Sequence, residues 1–260
     1  MKNLTTNVFE QAKPWVTAVL FLVVATVFVW QGLGWLNKPT TVPIKYVRVS
    51  GEMKHLSQEE LSASLSALVD TGYFALDADV IVKAVKKLEW VNKAKLRRVW
   101  PDTIVLFIEE QKPMAVWNEV ALLNQAGEVF RPTFDKALLS LPHLVGIEAE
   151  SQQMLEELKK LNHSLAQTGF LVKTLNLAEH GSWSAELNNG TKIKVGDESP
   201  SQKITKSLTL LASIDKGFIE HLDEVDLRYP NGMAVKWVDG YQFNDVKAAQ
   251  ALKKDQPTKG

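Results

Sequence analysis

The sequence predicts an α+β protein: a single transmembrane helix, then a β-α-α-β-β domain, then a mixed β-rich domain with two helices. Three observations carry this. Trp15 to Leu36 read WVTAVLFLVVATVFVWQGLGWL without a formal charge. Residues 43–112 pass through strand, helix, helix, strand and strand periodicities in turn. Residues 113–240 break into many short strands between turn residues, interrupted twice by an amphipathic helix. The ~220 residues beyond the apolar run suffice for two domains of ~100 residues, each with its own core.

The apolar run comes first. A helix of this length rises about 33 Å, close to the ~30 Å hydrocarbon core of a bilayer. Trp15 marks one end, and Trp30 with Trp35 the other. Indole has an apolar body and one N–H to hydrate, so its place is the headgroup boundary. A buried soluble helix would keep a polar stripe. A cleaved leader would have a shorter apolar region and a small-x-small site, which NKPTTVP does not supply. Gly32 and Gly34 are too closely spaced for a GxxxG pair and no ionisable residue lies in the run, so it reads as a tether that another apolar span could replace. Charge counting leaves orientation open. Lys2 and Lys13 against Glu10 precede the run, and Lys38, Lys45, Arg48 and Lys54 against Glu52 follow it.

The remaining elements follow in order. Residues 1–14 are expected to form a short polar tail without structure. Ile44, Tyr46, Val47 and Val49 make a strand ending at Gly51. Ser57 and Glu60 fit a capping box ahead of Leu61, Leu65 and Leu68 at helical spacing. Asp77 or Asp79 caps a second helix, with Ile81, Ala84, Val85 and Leu88 on one face and Lys83, Lys86 and Lys87 on the other. A hairpin over 95–109 turns at Pro101-Asp102. Further on, strands are expected at 115–117, 120–124 and 128–130, with LPHLVG at 141–146 as an irregular connector. A helix over 151–167 is stopped by Gly169 in a left-handed cap. Strands at 171–177 and 183–187 lead to Asn189-Gly190, a type I′ hairpin signal, and the chain returns over 191–195. A helix over 200–214 precedes a last hairpin pairing 224–229 with 233–238 across Pro230-Asn231-Gly232. Residues 241–260 lose periodicity and are expected to be disordered.

Little in this sequence points to catalysis. Thirty basic and thirty acidic residues cancel, so no global field favours nucleic acid or an acidic substrate. Cysteine is absent, which excludes disulfides, thiolate chemistry and cysteine-ligated zinc. His55, His143, His163, His180 and His221 are scattered without ligand spacing. No GxSxG, P-loop or GxGxxG occurs. Glu109-Glu110 is an adjacent carboxylate pair, but strand neighbours point to opposite faces, so the expectation is a solvated strand end. Neither a metal nor a cofactor, a nucleic acid or a small-molecule substrate is expected.

Interaction surface remains. VDLRYPNGMAVKW, at 225–237, has aromatic residues near both ends, and little chain follows to cover its outer strand. An uncovered edge presents unpaired N–H and C=O groups that invite a partner strand. The residues leave open whether Trp237 faces such a partner or completes the core.

Taken together, VRVSG at 47–51, AVWNEVALLNQAGEVF at 115–130, LPHLVG at 141–146, WSAELNNGTKIKVG at 183–196 and VDLRYPNGMAVKW at 225–237 resemble the FtsQ family of bitopic cell-division proteins of Gram-negative bacteria. The order and spacing of these loose motifs carry the resemblance, which covers nearly the whole chain. It implies that 43–112 is a POTRA domain and 113–240 the family's β domain, with 1–14 cytoplasmic and the body in the periplasm. It implies a non-enzymatic divisome scaffold in the inner membrane at the septum, binding FtsB and FtsL and linking early and late division proteins. The POTRA domain would serve recruitment, and the last strand would accept a strand from FtsB. Positions matching that site are Tyr229 and Trp237, with Arg228, Gly232 and Ala234 between them. Pro230 departs from the small or acidic turn residue expected there.

A membrane-tethered POTRA chaperone would need further POTRA copies or a run of amphipathic barrel strands, and neither is present. A tethered hydrolase would need a carboxylate or histidine whose loss abolishes turnover.

Overall fold

The computed structural model describes residues 6–36, 43–69, 72–166, 169–214, 216–230 and 232–241. The body divides into two compact units, Met1–Gln111 and Lys112–Gly260. Helix α1 (Thr6–Leu36) contains the one described segment long and apolar enough to cross a membrane, Trp15–Trp35, none of which is buried. The helix begins at Thr6, so the expected unstructured tail is corrected over residues 6–14. Once a long helix is nucleated, each added residue gains a hydrogen bond without repeating the nucleation cost.

The smaller unit continues with β1 (Tyr46–Ser50), α2 (Gln58–Val69), α3 (Ala78–Val85), β2 (Val91–Val99) and β3 (Thr103–Glu110). The sheet order is β1-β3-β2, with β1 parallel and β2 antiparallel to β3. Ile104, Leu106 and Ile108 point to one face of β3 and are buried with Leu61, Leu65, Ile81 and Val85 of the helices. Asp77 caps α3, accepting from the Asp79 and Val80 amides at 2.9 and 3.3 Å. At α2, Ser57 Oγ accepts the Glu60 amide at 3.1 Å, which is half of the expected capping box. The side chain of Leu68 lies outside the described residues. At Gly51 a side chain is excluded, because a Cβ there would stand 2.1 Å from the Ile108 carbonyl oxygen.

The carboxylate pair is corrected at one member. Glu109 is exposed and pairs with Lys93, as a strand end should. Glu110 is buried, and its carboxylate accepts the amides of Lys54, His55 and Leu56 at 2.8 to 3.3 Å. Three N–H donors replace the water that a buried carboxylate loses, so the charge ties the β1–α2 connection to the end of β3.

The larger unit carries a nine-stranded sheet in the order β12-β11-β10-β9-β8-β7-β4-β5-β6. Its strands are β4 (Pro113–Trp117), β5 (Ala121–Asn124), β6 (Val129–Phe130), β7 (His143–Val145), β8 (Val172–Leu177), β9 (Trp183–Leu187), β10 (Lys192–Gly196), β11 (Leu222–Asp226) and β12 (Ala234–Trp237). Helices α4 (Ser151–Leu165) and α5 (Pro200–Ile214) pack on each other, α4 over β8 and α5 over β10. Met154, Leu155, Leu158, Leu161 and Leu165 meet Ile204, Leu208 and Leu211 above Leu144, Leu175, Ala185, Ile193 and Val225. The period of α4 is thus fulfilled, and Gly169 follows it with φ +77°. Between the helices, the buried Glu157 carboxylate accepts from Ser199 Oγ, the Ser201 amide and Lys160.

Two expectations in this unit are corrected. LPHLVG is not an irregular connector, because its residues 143–145 form β7, which runs parallel to both β4 and β8 and buries Leu144 completely. Three residues are too few to show alternation, and Pro142 and Gly146 on either side read as breakers. Asn189-Gly190 is not a type I′ turn, since of the two only Gly190 has positive φ. The Gly190 amide donates to the Leu187 carbonyl at 3.0 Å, and the Asn189 side chain accepts the Thr191 amide at 3.1 Å, which makes a type I turn followed by a left-handed glycine. Two consecutive positive φ values occur instead at Asn118 and Glu119, between β4 and β5, where the Asn118 side chain bonds both the amide and the carbonyl of Gly146.

Candidate functional site: the terminal sheet edge

Strand β12 closes the nine-stranded sheet on one side. It pairs antiparallel with β11 in the register Leu222↔Trp237, Glu224↔Lys236, Val225↔Val235 and Asp226↔Ala234, and its other edge pairs with no strand among the described residues. Alternate residues therefore divide. Met233, Val235 and Trp237 are half-buried and pack on the core, while Gly232, Ala234 and Lys236 are exposed. Strand β11 is anchored on its far side by parallel pairing with β10, which the crossover through α5 makes possible.

The first strand of this hairpin ends earlier than the sequence suggests. It was expected to reach Tyr229 and stops at Asp226, for a local electrostatic reason. Asp226 accepts the Arg228 backbone amide at 3.1 Å and the guanidinium at 2.6 to 3.1 Å. A side chain that bonds the backbone two residues on forms an Asx turn, which competes with the ladder. The Arg228 guanidinium holds the Asp226 carboxyl down at about 2 despite its burial. Strand β11 in turn begins earlier, at Leu222.

Of the five residues assigned to the partner site, Arg228, Tyr229, Gly232 and Ala234 are exposed around the turn, with Tyr229 at 56 %. Trp237 is not grouped with them. It sits at the other end of β12, half-buried against the core, with its ring 5.2 Å from that of Tyr241. Tyr241 stacks on His221 at 4.4 Å, and the Val238 amide donates to the His221 carbonyl at 3.0 Å. This His221–Trp237–Tyr241 cluster went unnoticed in the sequence because Tyr241 lies where periodicity stops. A histidine just ahead of the hairpin and a tyrosine just after it were the available signal. The rest of the expected disordered tail, 242–260, lies outside the described residues.

Charges line the same end of the sheet. Lys194 pairs with Glu224 at 2.8 Å and Lys236 pairs with Asp223, so the exposed face of the edge carries both signs. Across the molecule, the histidines do not converge. His55 stacks on Trp90, and His143 bonds Glu119 at 2.9 Å and the Leu139 carbonyl at 3.0 Å. Burial disfavours the His143 charge, but that carbonyl and carboxylate outweigh it and raise its pKa above the ordinary 6.5. Among the described residues no group of three His, Asp or Glu side chains could hold a metal ion. On α1, Trp15 at one end and Trp30 and Trp35 at the other are exposed, as rings at two membrane interfaces would be.

Comparisons with known proteins agree with this architecture. Residues 42–111 match the model of the FtsQ-type POTRA domain, and residues 115–228 match that of the C-terminal region of the cell division proteins FtsQ and DivIB. The second match ends at Arg228, so β12 lies beyond it. The chain is 30% identical to the cell division protein FtsQ of Coxiella burnetii over 91% of its own length and 97% of the relative's. It is 35% identical to that of Shewanella oneidensis over 78% of each, and 28% identical to that of Vibrio cholerae over 88% and 90%. With its one apolar helix, its POTRA domain and its β-rich C-terminal unit, this chain belongs to the FtsQ family of cell division proteins.

Proposed function

We propose that the protein is a non-enzymatic scaffold of the divisome, and that its β domain takes up FtsB, together with FtsL, by strand addition to β12. The observation that carries this reading is the edge itself: Ala234–Trp237 are hydrogen-bonded to β11 on one side, and the opposite side pairs with no strand among the described residues. Backbone groups on such an edge are satisfied by water in the free protein and by a partner strand in a complex. Arg228 and Tyr229 at the turn, Gly232 and Ala234 along the exposed face, and Trp237 at the far end are the proposed contact positions. Tyr229 is the exposed anchor. Trp237 shapes the edge from beneath.

In this reading the amino terminus is cytoplasmic, residues 15–36 tether the chain in the inner membrane, and the body works in the periplasm at the septum. The POTRA domain at 43–112 meets other divisome proteins. A photo-crosslinking scan along residues 43–112 and 225–238 in dividing cells tests the assignment. Capture of FtsB at outward positions of β12 supports it, and capture confined to 43–112 sinks it.

A further inference from the structure

The small sheet has a face that α2 and α3 leave uncovered, and its composition changes along the strands. At the end where β1 enters, Tyr46, Thr103 and Val99 stand in cross-strand register, and Trp100 beside them is 77 % exposed. Arg48, Val105 and Arg97 form the next row on this face, and Ser50, Phe107 and Lys95 the one after. The Arg97 guanidinium lies 5.7 Å from the Phe107 ring centroid. Asp102 and Glu109 border the face, and each already holds a cation, Lys45 at 3.4 Å and Lys93 at 3.1 Å. Arg48, Arg97 and Lys95 are exposed and meet no carboxylate among the described residues.

Exposed aromatic rings at one end, backed by unneutralised cations, complement a lipid headgroup layer. Indole and phenol rings settle at the boundary, and guanidinium and ammonium groups find phosphates just outside it. The tether supplies the surface. Nine residues separate Leu36 from Tyr46, and even fully extended they span no more than about 35 Å. Tyr46 is the first residue of β1, so the aromatic end of the face is the end at which the tether arrives. A bilayer is therefore always within reach, and docking costs little beyond fixing an orientation. We propose that this face docks on the anionic bilayer that holds the chain's own span, with Tyr46 and Trp100 in the headgroup layer and Arg48, Arg97 and Lys95 on lipid phosphates.

The absence of cysteine allows single labels to be placed. Full-length protein carrying a fluorophore at Val99→Cys, or at the exposed Lys86→Cys just past the end of α3, is reconstituted in phosphatidylcholine–phosphatidylglycerol vesicles with a headgroup quencher. The Val99 label is expected to be quenched well above the Lys86 reference, and the difference should vanish in pure phosphatidylcholine or at high salt. Arg48→Gln and Arg97→Gln should each lower the docked-to-free ratio about fivefold, the effect of one basic residue at an anionic surface. Equal quenching of the two labels in anionic vesicles overturns the proposal. So does quenching at Val99 that is indifferent to salt and to both substitutions. A Val99 site open in vesicles but shielded in cells would assign the face to a protein partner instead.

Discussion

Arg228 grips Asp226 through both carboxylate oxygens, with Nε 2.9 Å from Oδ1 and Nη2 2.6 Å from Oδ2, and this pair fixes where β11 ends. The Asp226 pKa is depressed from 3.8 to about 2, so the pair stabilises the fold above the ordinary value, and that contribution is lost as pH falls through about 2. Arg228→Ala should return the Asp226 titration toward 3.8 and shift acid unfolding to higher pH. Because the guanidinium is largely exposed and screened by solvent, the stability lost near neutral pH should be small. An Asp226 carboxyl that still titrates near 2 in the variant, followed by NMR, would place the cause elsewhere.

Tyr229 and Trp237 should separate when replaced. Tyr229→Ala removes an exposed ring and is expected to weaken FtsB capture by ~2 kcal/mol while leaving thermal stability unchanged. Trp237→Ala removes packing from the core and from Tyr241, so it should lower stability by about 2–3 kcal/mol as well as weaken capture. Pull-down and thermal unfolding on the same preparations check this, and a Trp237 variant of unchanged stability would contradict the packing.

Glu110 predicts a local effect in the POTRA domain. Glu110→Ala leaves the Lys54, His55 and Leu56 amides without their acceptor, at an expected cost of about 2–4 kcal/mol. Amide exchange at those three residues should accelerate sharply. Unchanged protection would mean that another group satisfies them.

His143 sets a pH dependence of opposite sign. Its pKa is raised above 6.5, so its bonds to Glu119 and Leu139 stabilise the fold fully below 6.5, and that contribution fades as pH rises through the folded value. Glu119→Gln should move the His143 titration down and flatten the stability profile on the alkaline side of 6.5. An NMR titration of the ring that ignores this substitution would rule out the Glu119 contribution.

The elements that could be read from sequence are those whose signal is local. The uncharged run around Val23, the caps at Ser57 and Asp77 and the leucine period of α4 each depend on residues within a few positions of one another. What escaped depends on distance. Strand β7 is three residues long and exists because β4 and β8 flank it, which no window over LPHLVG reveals. Glu110 looks like a strand end until the backbone of residues 54–56 closes over it. At the terminal edge, the sequence carries the strand through Asp226 and Arg228 to Tyr229, and the turn there follows from their side-chain pairing, just as the inward direction of Trp237 follows from its pairing with Leu222 and from a tyrosine beyond the last periodic residue.

The parallel pairing of β1 with β3 also has a mechanical meaning. The chain arrives from the membrane span at the first residue of β1 and leaves toward the β domain from the last residue of β3, and the two strands lie side by side over five residue pairs. Tension between the bilayer and a partner on the β domain would pull these strands in opposite directions along their length. Every hydrogen bond of the ladder then resists at once, as in shear, rather than one after another, as in peeling. The small sheet is thereby a clamp in the path of any force carried from the apolar helix to the larger unit.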